Sequence, residues 1–292
     1  MKAIIPAAGH GTRFLPVTKV VPKEMLPIGS KPALELIVDE AKSAGADEIV
    51  LIISHGKELI REYFRDDPAI RFVYQEEQKG LGHAVLMAEE SVSNVDSLRG
   101  DSSSDHRING PAGQGRNVLI MLGDCLVAGC NAAKAMAEVS AANGGASVIG
   151  LERVPPEKVS RYGIVKPAPD AIEQSNNPNN RTVRILDLVE KPAPSEAPSD
   201  LAIAGRYLLS TEIFAFLRTQ TPGKGGEIQL TDAIRRMIGA AACGSPNRPI
   251  EQSEQSEQSN NVLLGYVYPG KRQDIGNPKG YFEALKAMGA NE

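Results

Sequence analysis

The sequence predicts an α/β fold in which helices flank a mixed, mostly parallel central sheet. Three observations predict it. Short apolar runs of strand length alternate with amphipathic segments of helix length through the first half of the chain. Several strand-like runs follow one another directly in the second half, which extends the sheet with mixed directions. A chain of 292 residues with 41% hydrophobic content can bury one large core, so we expect a single domain over residues 1–292.

The first half of the chain alternates strand and helix. A buried strand, KAIIPA, is followed by a glycine-rich loop and a helix over KPALELIVDEAKSAG. Pro32 suits the first turn of that helix, Leu34 and Ile37 share one face, and Gly45 ends it. Further elements continue the alternation, with strands at DEIVLIIS, IRFVYQ and NVLIMLGD and helices at GKELIREYF and GHAVLMAEES. Since strand–helix–strand units build parallel sheets, we expect a doubly wound sheet here.

The second half adds strands that are not separated by helices. Its predicted elements are a helix over 131–142, a strand at ASVIGLE, strands near 162–166, 182–190 and 202–209, a helix from about 228, a strand at VLLGYVY and a helix from 277. Three segments interrupt the pattern, at 91–117, 173–180 and 245–261. They are polar and nearly free of aromatic residues, so we expect exposed, flexible insertions, and a partner-docking role stays open.

Charge and hydropathy exclude several function classes. The net charge of −4 argues against the broad basic surface that nucleic-acid binding requires. No apolar run approaches the ~20 residues of a membrane span, and Met1 leads directly into a strand without a secretory leader. We therefore expect a cytoplasmic protein with no nucleic-acid and no membrane partner. The three cysteines form neither a disulfide set nor a metal knuckle.

The first 31 residues have the opposite charge from the rest of the chain. They contain five basic residues and one acid, which gives +4. Gly9 and Gly11 allow a ligand to approach the backbone closely, and Arg13 and Lys23 add positive charge, as a phosphate ligand requires. A plain turn would explain the glycines but not the basic residues. The dinucleotide fingerprint fails because Phe14 occupies its third glycine position, and the Walker pattern fails as well.

The stretch AAGHGTRFLPVTKVVPKEMLPIGSKP closely resembles the signature of sugar-phosphate nucleotidyltransferases. Its PKEMLP segment is similar to that of the bacterial UTP:glucose-1-phosphate uridylyltransferases in particular. The likeness continues through seven later blocks, QKGLGHAV, LGD, YGIV, VEKP, AIAGRYLL, GGEIQLTDAI and DIGNPKGY. These blocks extend over nearly the whole chain outside the polar segments. The resemblance implies a Rossmann-like fold of the nucleotide-diphospho-sugar transferase type.

The resemblance also implies an activity. The enzyme would transfer UMP from UTP to α-D-glucose 1-phosphate, giving UDP-glucose and pyrophosphate, with Mg²⁺ as cofactor. We expect it to act as a homo-oligomer on these small-molecule substrates. One alternative is the same fold with another pair of substrates, such as dTTP and glucose 1-phosphate. Another is a catalytically silent, nucleotide-sensing or assembly subunit, although lost charges would mark such a protein.

The resemblance assigns a nucleotide site to the glycine-rich loop and to two later positions. These residues are Ala8, Gly9, Gly11, Thr12, Gln75 and Gly80. Arg13 and Lys23 would contact the triphosphate as catalytic residues. Independently, the Gln75 amide offers both a donor and an acceptor, which suits the edge of uracil. The alternative for Gln75 is a solvated amide at a strand end.

Asp124 and Asp274 are the predicted metal ligands. Asp124 is expected at the carboxyl end of a buried strand, where open α/β sheets bind ligands, and the resemblance also makes it catalytic. Carboxylate oxygens suit Mg²⁺, and the family pairs this aspartate with a second one, which is Asp274 here. An aspartate at a strand end is otherwise a turn or capping residue.

The predicted sugar-phosphate site follows the resemblance at VEKP and YGIV. Glu190 would bind glucose hydroxyls, Lys191 the phosphate, and Gly163 the sugar through its backbone. Without the resemblance, an adjacent Glu–Lys pair indicates only solvated surface. Glu227, Gln229 and His83 lie in matching blocks, and their roles stay open.

Overall fold

The computed structural model describes residues 1–93, 117–169, 181–243 and 262–288. Most of the predicted insertions, 94–116, 173–180 and 245–261, lie outside the described residues. The boundaries given for the first one were wrong at both ends. Residues 91–93 belong to a helix, in which the Val92 side chain is buried in the core. Asn117 begins a strand, and the next residue, Val118, is also buried.

The strands of the described chain are β1 (Lys2–Pro6), β2 (Pro27–Ile28), β3 (Lys31–Pro32), β4 (Glu48–Ile53), β5 (Ile70–Tyr74), β6 (Asn117–Met121), β7 (Cys125–Ala128), β8 (Ser147–Arg153), β9 (Gly163–Pro167), β10 (Thr182–Glu190), β11 (Leu201–Ser210), β12 (Leu263–Val267) and β13 (Lys271–Asp274). The α-helices are α1 (Ala33–Ser43), α2 (Glu58–Tyr63), α3 (Leu81–Met87), α4 (Glu89–Ser93), α5 (Ala132–Ala142), α6 (Ile213–Arg218), α7 (Leu230–Cys243) and α8 (Pro278–Met288).

A nine-stranded sheet forms the centre, in the order β5–β4–β1–β6–β11–β8–β12–β10–β9. Strands β5, β4, β1 and β6 are parallel neighbours. Strand β11 is antiparallel to both β6 and β8, while β12 is parallel to β8 and antiparallel to β10. Only β11 and β10 therefore oppose the direction of the other strands in this sheet, which confirms the mixed, mostly parallel α/β fold.

Helices cover both faces of the sheet. Alternate residues of β1 enter two separate cores, with Ile4 on one side and Ile5 on the other. Helix α1 packs on the Ile5 side through its apolar stripe, and α3, α6 and α7 cover the opposite face. The central strands β1, β4 and β6 are apolar along almost their whole length because both faces are buried.

The predicted elements are confirmed within about two residues at most of their ends. The predicted helix GHAVLMAEES is two short helices, α3 and α4. The prediction missed α6, the short β2–β3 hairpin and the long-range antiparallel pair of β7 with β13. No helix in the described part of the chain combines the length and the apolar character that crossing a membrane would require.

Candidate active site

The glycine-rich loop leaves β1 at the carboxyl edge of the parallel strands. Ala7 and Ala8 are buried, and the Ala7 N–H donates to the carbonyl of Ile52 at 2.7 Å. Gly11 has φ 65°, and a Cβ there would lie 2.9 Å from the Thr18 methyl group. The local backbone conformation and the packing against Thr18 therefore require glycine at position 11. A Cβ on Gly9 would meet no atom within 4 Å, so packing within the chain does not require glycine there.

The two predicted triphosphate residues lie in different environments. Arg13 is exposed in a short 3₁₀ helix, Thr12–Phe14, which is anchored by the buried Phe14 ring against Tyr281. Lys23 is mostly buried, and its Nζ donates to Oδ2 of Asp124 at 2.5 Å. Burial alone would lower the pKa of Lys23. The charges of Asp124 and other carboxylates outweigh burial and raise this pKa, which keeps the side chain charged.

Asp124 lies three residues beyond the last residue of β6, in the turn that leads to β7. The prediction that Asp124 is the last residue of the strand was therefore wrong by three residues. The backbone of Gly123 still contacts the neighbouring strand β1, because its N–H donates to the carbonyl of Pro6 at 3.1 Å. The carboxyl edge is nevertheless the place predicted for Asp124.

The two predicted metal ligands face each other across Gly276. Strand β13 pairs with β7 so that Asp274 lies opposite Cys125, and the Ile275 N–H donates to the Asp124 carbonyl at 3.0 Å. A Cβ on Gly276 would lie 2.9 Å from Oδ2 of Asp124 and 2.9 Å from Oδ1 of Asp274. The absence of a side chain at Gly276 thus leaves a small cradle between two carboxylates that are 150 positions apart in sequence.

A buried ion pair supports the Asp124 turn, and sequence reasoning missed it. Arg206 of β11 is 0% exposed and donates from Nη2 to Glu40 of α1 at 2.7 Å and to the Cys125 carbonyl at 2.8 Å. The neighbouring Gly205 accepts a hydrogen bond from the Leu122 N–H at 3.0 Å. The available signal was an arginine inside the otherwise apolar strand AIAGRYLL.

Gln75 and Gly80 come together beside the start of α3. Gln75 is only 4% exposed, in contrast to the solvated amide considered above, and its Nε2 donates to the Gly80 carbonyl at 3.3 Å. The same nitrogen lies 3.1 Å from Nδ1 of His83. Burial, with the charge of Lys79, lowers the pKa of His83, which favours the neutral ring. Gly80 has φ 96°, and a Cβ there would lie 2.7 Å from that of Glu227.

Gly163, Glu190 and Lys191 form a third group of site residues. Glu190 ends β10 directly opposite Gly163 of β9, and Thr231 of α7 donates from its hydroxyl to Oε2 of Glu190 at 2.8 Å. Lys191 has φ 46° and is the one non-glycine residue of the described chain with positive φ. Successive side chains of a strand point to opposite faces. The turn at Lys191 instead brings its Nζ to 3.2 Å from Oε1 of Glu190.

Bridging residues connect the three groups. Gln78 donates to the Ala8 carbonyl at 3.1 Å and so joins the glycine-rich loop to the Gln75 region. Arg272 of β13, which the sequence analysis did not single out, stacks on Tyr162 at 3.9 Å, and Tyr162 accepts from the Lys191 N–H at 3.0 Å. Gln78 thus joins the first two groups by a hydrogen bond, and β13, which contains both Arg272 and Asp274, links the third group to the first.

The family model described as Nucleotidyl transferase matches residues 2–291 of this chain. The chain belongs to the nucleotidyl transferase family. A Staphylococcus epidermidis protein named UTP–glucose-1-phosphate uridylyltransferase is 35% identical over 306 residues, which cover 96% of this chain and 89% of that relative. The Bacillus subtilis protein UTP–glucose-1-phosphate uridylyltransferase YngB is 35% identical over 314 residues, which cover 99% of this chain and 89% of its own.

Solved structures share the nucleotidyl transferase fold. A UDP-glucose pyrophosphorylase complexed with UDP-glucose superposes with a TM-score of 0.75 and 31% identity, covering 98% of this chain and 97% of the other. A UTP-bound UGPase from Acinetobacter baumannii gives a TM-score of 0.73 and 29% identity, covering 100% of this chain and 94% of the other. The similarity is therefore one of whole chains.

Proposed function

We propose that this nucleotidyl transferase transfers UMP from UTP to α-D-glucose 1-phosphate, giving UDP-glucose and pyrophosphate. One observation carries the proposal: relatives that match over 96% and 99% of the chain have the same name, UTP–glucose-1-phosphate uridylyltransferase. We further propose that residues 1–292 act as one domain, since a single sheet takes strands from Lys2 to Val267.

The reaction needs no nucleophilic side chain. An oxygen of the glucose 1-phosphate phosphate forms a bond to the α-phosphorus of UTP. The bond from that phosphorus to the oxygen bridging to the β-phosphorus breaks, and pyrophosphate leaves. A phosphate monoester is already anionic, so the protein's contribution is positioning and neutralisation of the developing charge.

On the nucleotide side, we assign the loop from Ala8 to Thr12 to binding and Arg13 and Lys23 to charge neutralisation. The support for Arg13 is its exposed position directly after Gly11, and the support for Lys23 is its charged Nζ beside Asp124. We assign the uracil edge to Gln75 and to the backbone of Gly80. Because Gln75 is held by buried contacts, its amide would meet the base in one fixed orientation.

On the sugar-phosphate side, Glu190 would accept hydrogen bonds from glucose hydroxyls, and Lys191 would bind the phosphate. The positive φ of Lys191 supports this assignment. Residues held in sparsely populated backbone regions cluster at ligand sites, where the surrounding structure stabilises them. Gly163 would present its backbone to the sugar, because a side chain there would lie 3.2 Å from Oε2 of Glu190.

The carboxylates of Asp124 and Asp274 fit a Mg²⁺ ion. They are hard oxygen donors on either side of a cradle that a Cβ on Gly276 would fill. No group of three or more His, Cys, Asp and Glu side chains gathers for a metal within the described ranges, so these two would act together with phosphate oxygens and water. When bound, Mg²⁺ supplies charge stabilisation to the phosphates.

We also propose a cytoplasmic homo-oligomer without nucleic-acid or membrane partners. Exposed apolar side chains at Leu15, Val17 and Val20 support self-association, and the net charge of −4 supports the absence of a nucleic-acid partner. Light scattering at several protein concentrations measures the oligomeric state, and a monomer at every concentration would contradict it.

The deciding experiment measures pyrophosphate release over a grid of nucleotides and sugar phosphates. UTP with glucose 1-phosphate should give the highest kcat/KM. A higher value for dTTP would establish the alternative substrate pair considered above. No turnover with any pair, together with measurable UTP binding, would favour a catalytically silent subunit.

A further inference from the structure

Lys57 forms a saturated set of buried contacts beside the glycine-rich loop. Its Nζ donates to Oε1 and Oε2 of Glu24 at 2.9 and 2.8 Å and to the carbonyl of Ala7 at 2.5 Å. An ammonium group has three protons, so these bonds use all of them. Lys57 is 6% exposed and Glu24 is 1% exposed.

This ion pair is not explained by stability alone. Removing two charges from water is costly, and apolar side chains of similar size often stabilise a buried position equally well. Its place in the site is distinctive, because Glu24 directly follows Lys23 in sequence and its Oε1 lies 3.9 Å from the Lys23 Nζ. The Glu24 carboxylate therefore has two lysines within reach.

We propose that Lys57 is a positioning residue that keeps Lys23 available to the nucleotide triphosphate by acting as the counter-ion of Glu24. With Lys57 in place, its Nζ lies 2.8 Å from Oε2 of Glu24 and neutralises that carboxylate. The Nζ of Lys23 instead lies 2.5 Å from Oδ2 of Asp124. Without Lys57, the buried Glu24 carboxylate loses its counter-ion and forms an ion pair with Lys23, whose Nζ is already within 3.9 Å. Lys23 is then drawn away from the phosphates. This inference rests on the proposed function, because it requires a nucleotide at Lys23.

A double variant separates this role from simple anchoring of the loop. Lys57 also bonds to Ala7, so its loss could displace the loop in addition to leaving Glu24 unpaired. Removing both charges, in Glu24→Gln with Lys57→Met, also loses the bond to Ala7 but leaves no carboxylate to compete for Lys23. The double variant should therefore bind nucleotide as the unaltered protein does if competition for Lys23 is the cause.

The test measures the Kd of UTP with Mg²⁺ by calorimetry, and both KM values, for the full chain and its variants. Lys57→Met should weaken UTP binding at least about tenfold and change the KM of glucose 1-phosphate less than about twofold. The double variant should regain a UTP Kd within about twofold of the unaltered protein. Lys42→Met is the matched control, because Lys42 pairs with Asp67 at 2.5 Å in an exposed position away from Lys23, and it should change nothing.

Several results would overturn the inference. They are an unchanged UTP Kd in Lys57→Met, equal losses for both substrates, or a double variant as weak as Lys57→Met. If Lys57→Met does not fold, the inference is tested with the double variant only. If the double variant does not fold either, the Lys57–Glu24 pair serves the stability of the fold. Absence of UTP binding in the unaltered protein would instead reject the proposed function itself.

Discussion

The proposed nucleotide side and the proposed sugar-phosphate side of the site are built in different ways. Lys23 and Asp124 meet where the neighbouring parallel strands β1 and β6 end, so successive strand–helix units bring them together. Glu190 and Gly163 face each other across the antiparallel pair of β10 and β9. The nucleotide side thus depends on where strands end. The sugar side depends on register, because a slip of one residue would turn Glu190 to the other face.

The largest expected effect belongs to the carboxylates, which serve both sides. Asp124→Asn and Asp274→Asn should each lower kcat by about 100-fold or more, because both are proposed to hold one ion. The double variant should be little worse, since residues that act as a unit are not additive. Turnover measured across a Mg²⁺ titration checks this, and circular dichroism controls for folding. Near-normal turnover with unchanged metal dependence would make that aspartate a turn residue only.

Lysine substitutions should separate the two sides. Lys23→Met should raise the KM of UTP by about 10- to 100-fold, because a charged hydrogen bond contributes about 1.5–3 kcal/mol. The KM of glucose 1-phosphate should change far less. Steady-state kinetics with each substrate varied in turn checks this. The control is Lys19→Met, an exposed lysine of the same segment.

Lys191→Ala should give the mirror image of Lys23→Met. We expect the KM of glucose 1-phosphate to rise by about 10- to 100-fold and the KM of UTP to stay nearly constant. Lys166→Ala, at an exposed position of β9, is the control. An equal loss of affinity for both substrates would remove Lys191 from the sugar side and weaken the division drawn above.

A smaller effect should follow from Thr231, whose hydroxyl orients Glu190 at 2.8 Å. Thr231→Val removes the hydroxyl and should raise the KM of glucose 1-phosphate about 2- to 10-fold, because the hydroxyl affects the substrate only through the orientation of Glu190. Thr231→Ser keeps the hydroxyl and should behave as the unaltered protein. If both variants lose the same affinity, packing of the methyl group and not the hydroxyl would be responsible.

The smallest effect is expected from two polar segments that lie outside the described residues. Deleting Ser102–Gly115, or shortening Gln252–Asn260, should leave kcat and Tm nearly unchanged. These segments are polar and free of aromatic residues, so their sequence offers no core to lose. Activity assays and thermal melts of the two deletions check this. A large drop in either would assign a packing or binding role to the deleted segment.

The sequence predicted the strands of both proposed sides, but not the long-range pairing that arranges the sugar-phosphate side. Regular alternation placed β1, its loop and α1 correctly, because apolar periodicity is a local signal. The direction of β11 and the facing of Glu190 with Gly163 depend on long-range pairing, which no local pattern encodes. Lys57 and Glu40 were missed for a related reason. A charged residue that is buried with a distant partner looks in sequence like one on the surface.

Gly276 shows how little would separate an active member of this fold from an inactive one. Its missing side chain leaves the cradle between Asp124 and Asp274, so a single added methyl group would push both carboxylates apart. Every charged residue of the site would still be present. An inventory of charged residues would then report an intact enzyme, although the proposed ion could no longer be held. In the proposed site, binding of the ion depends on an empty volume as much as on the two carboxylates.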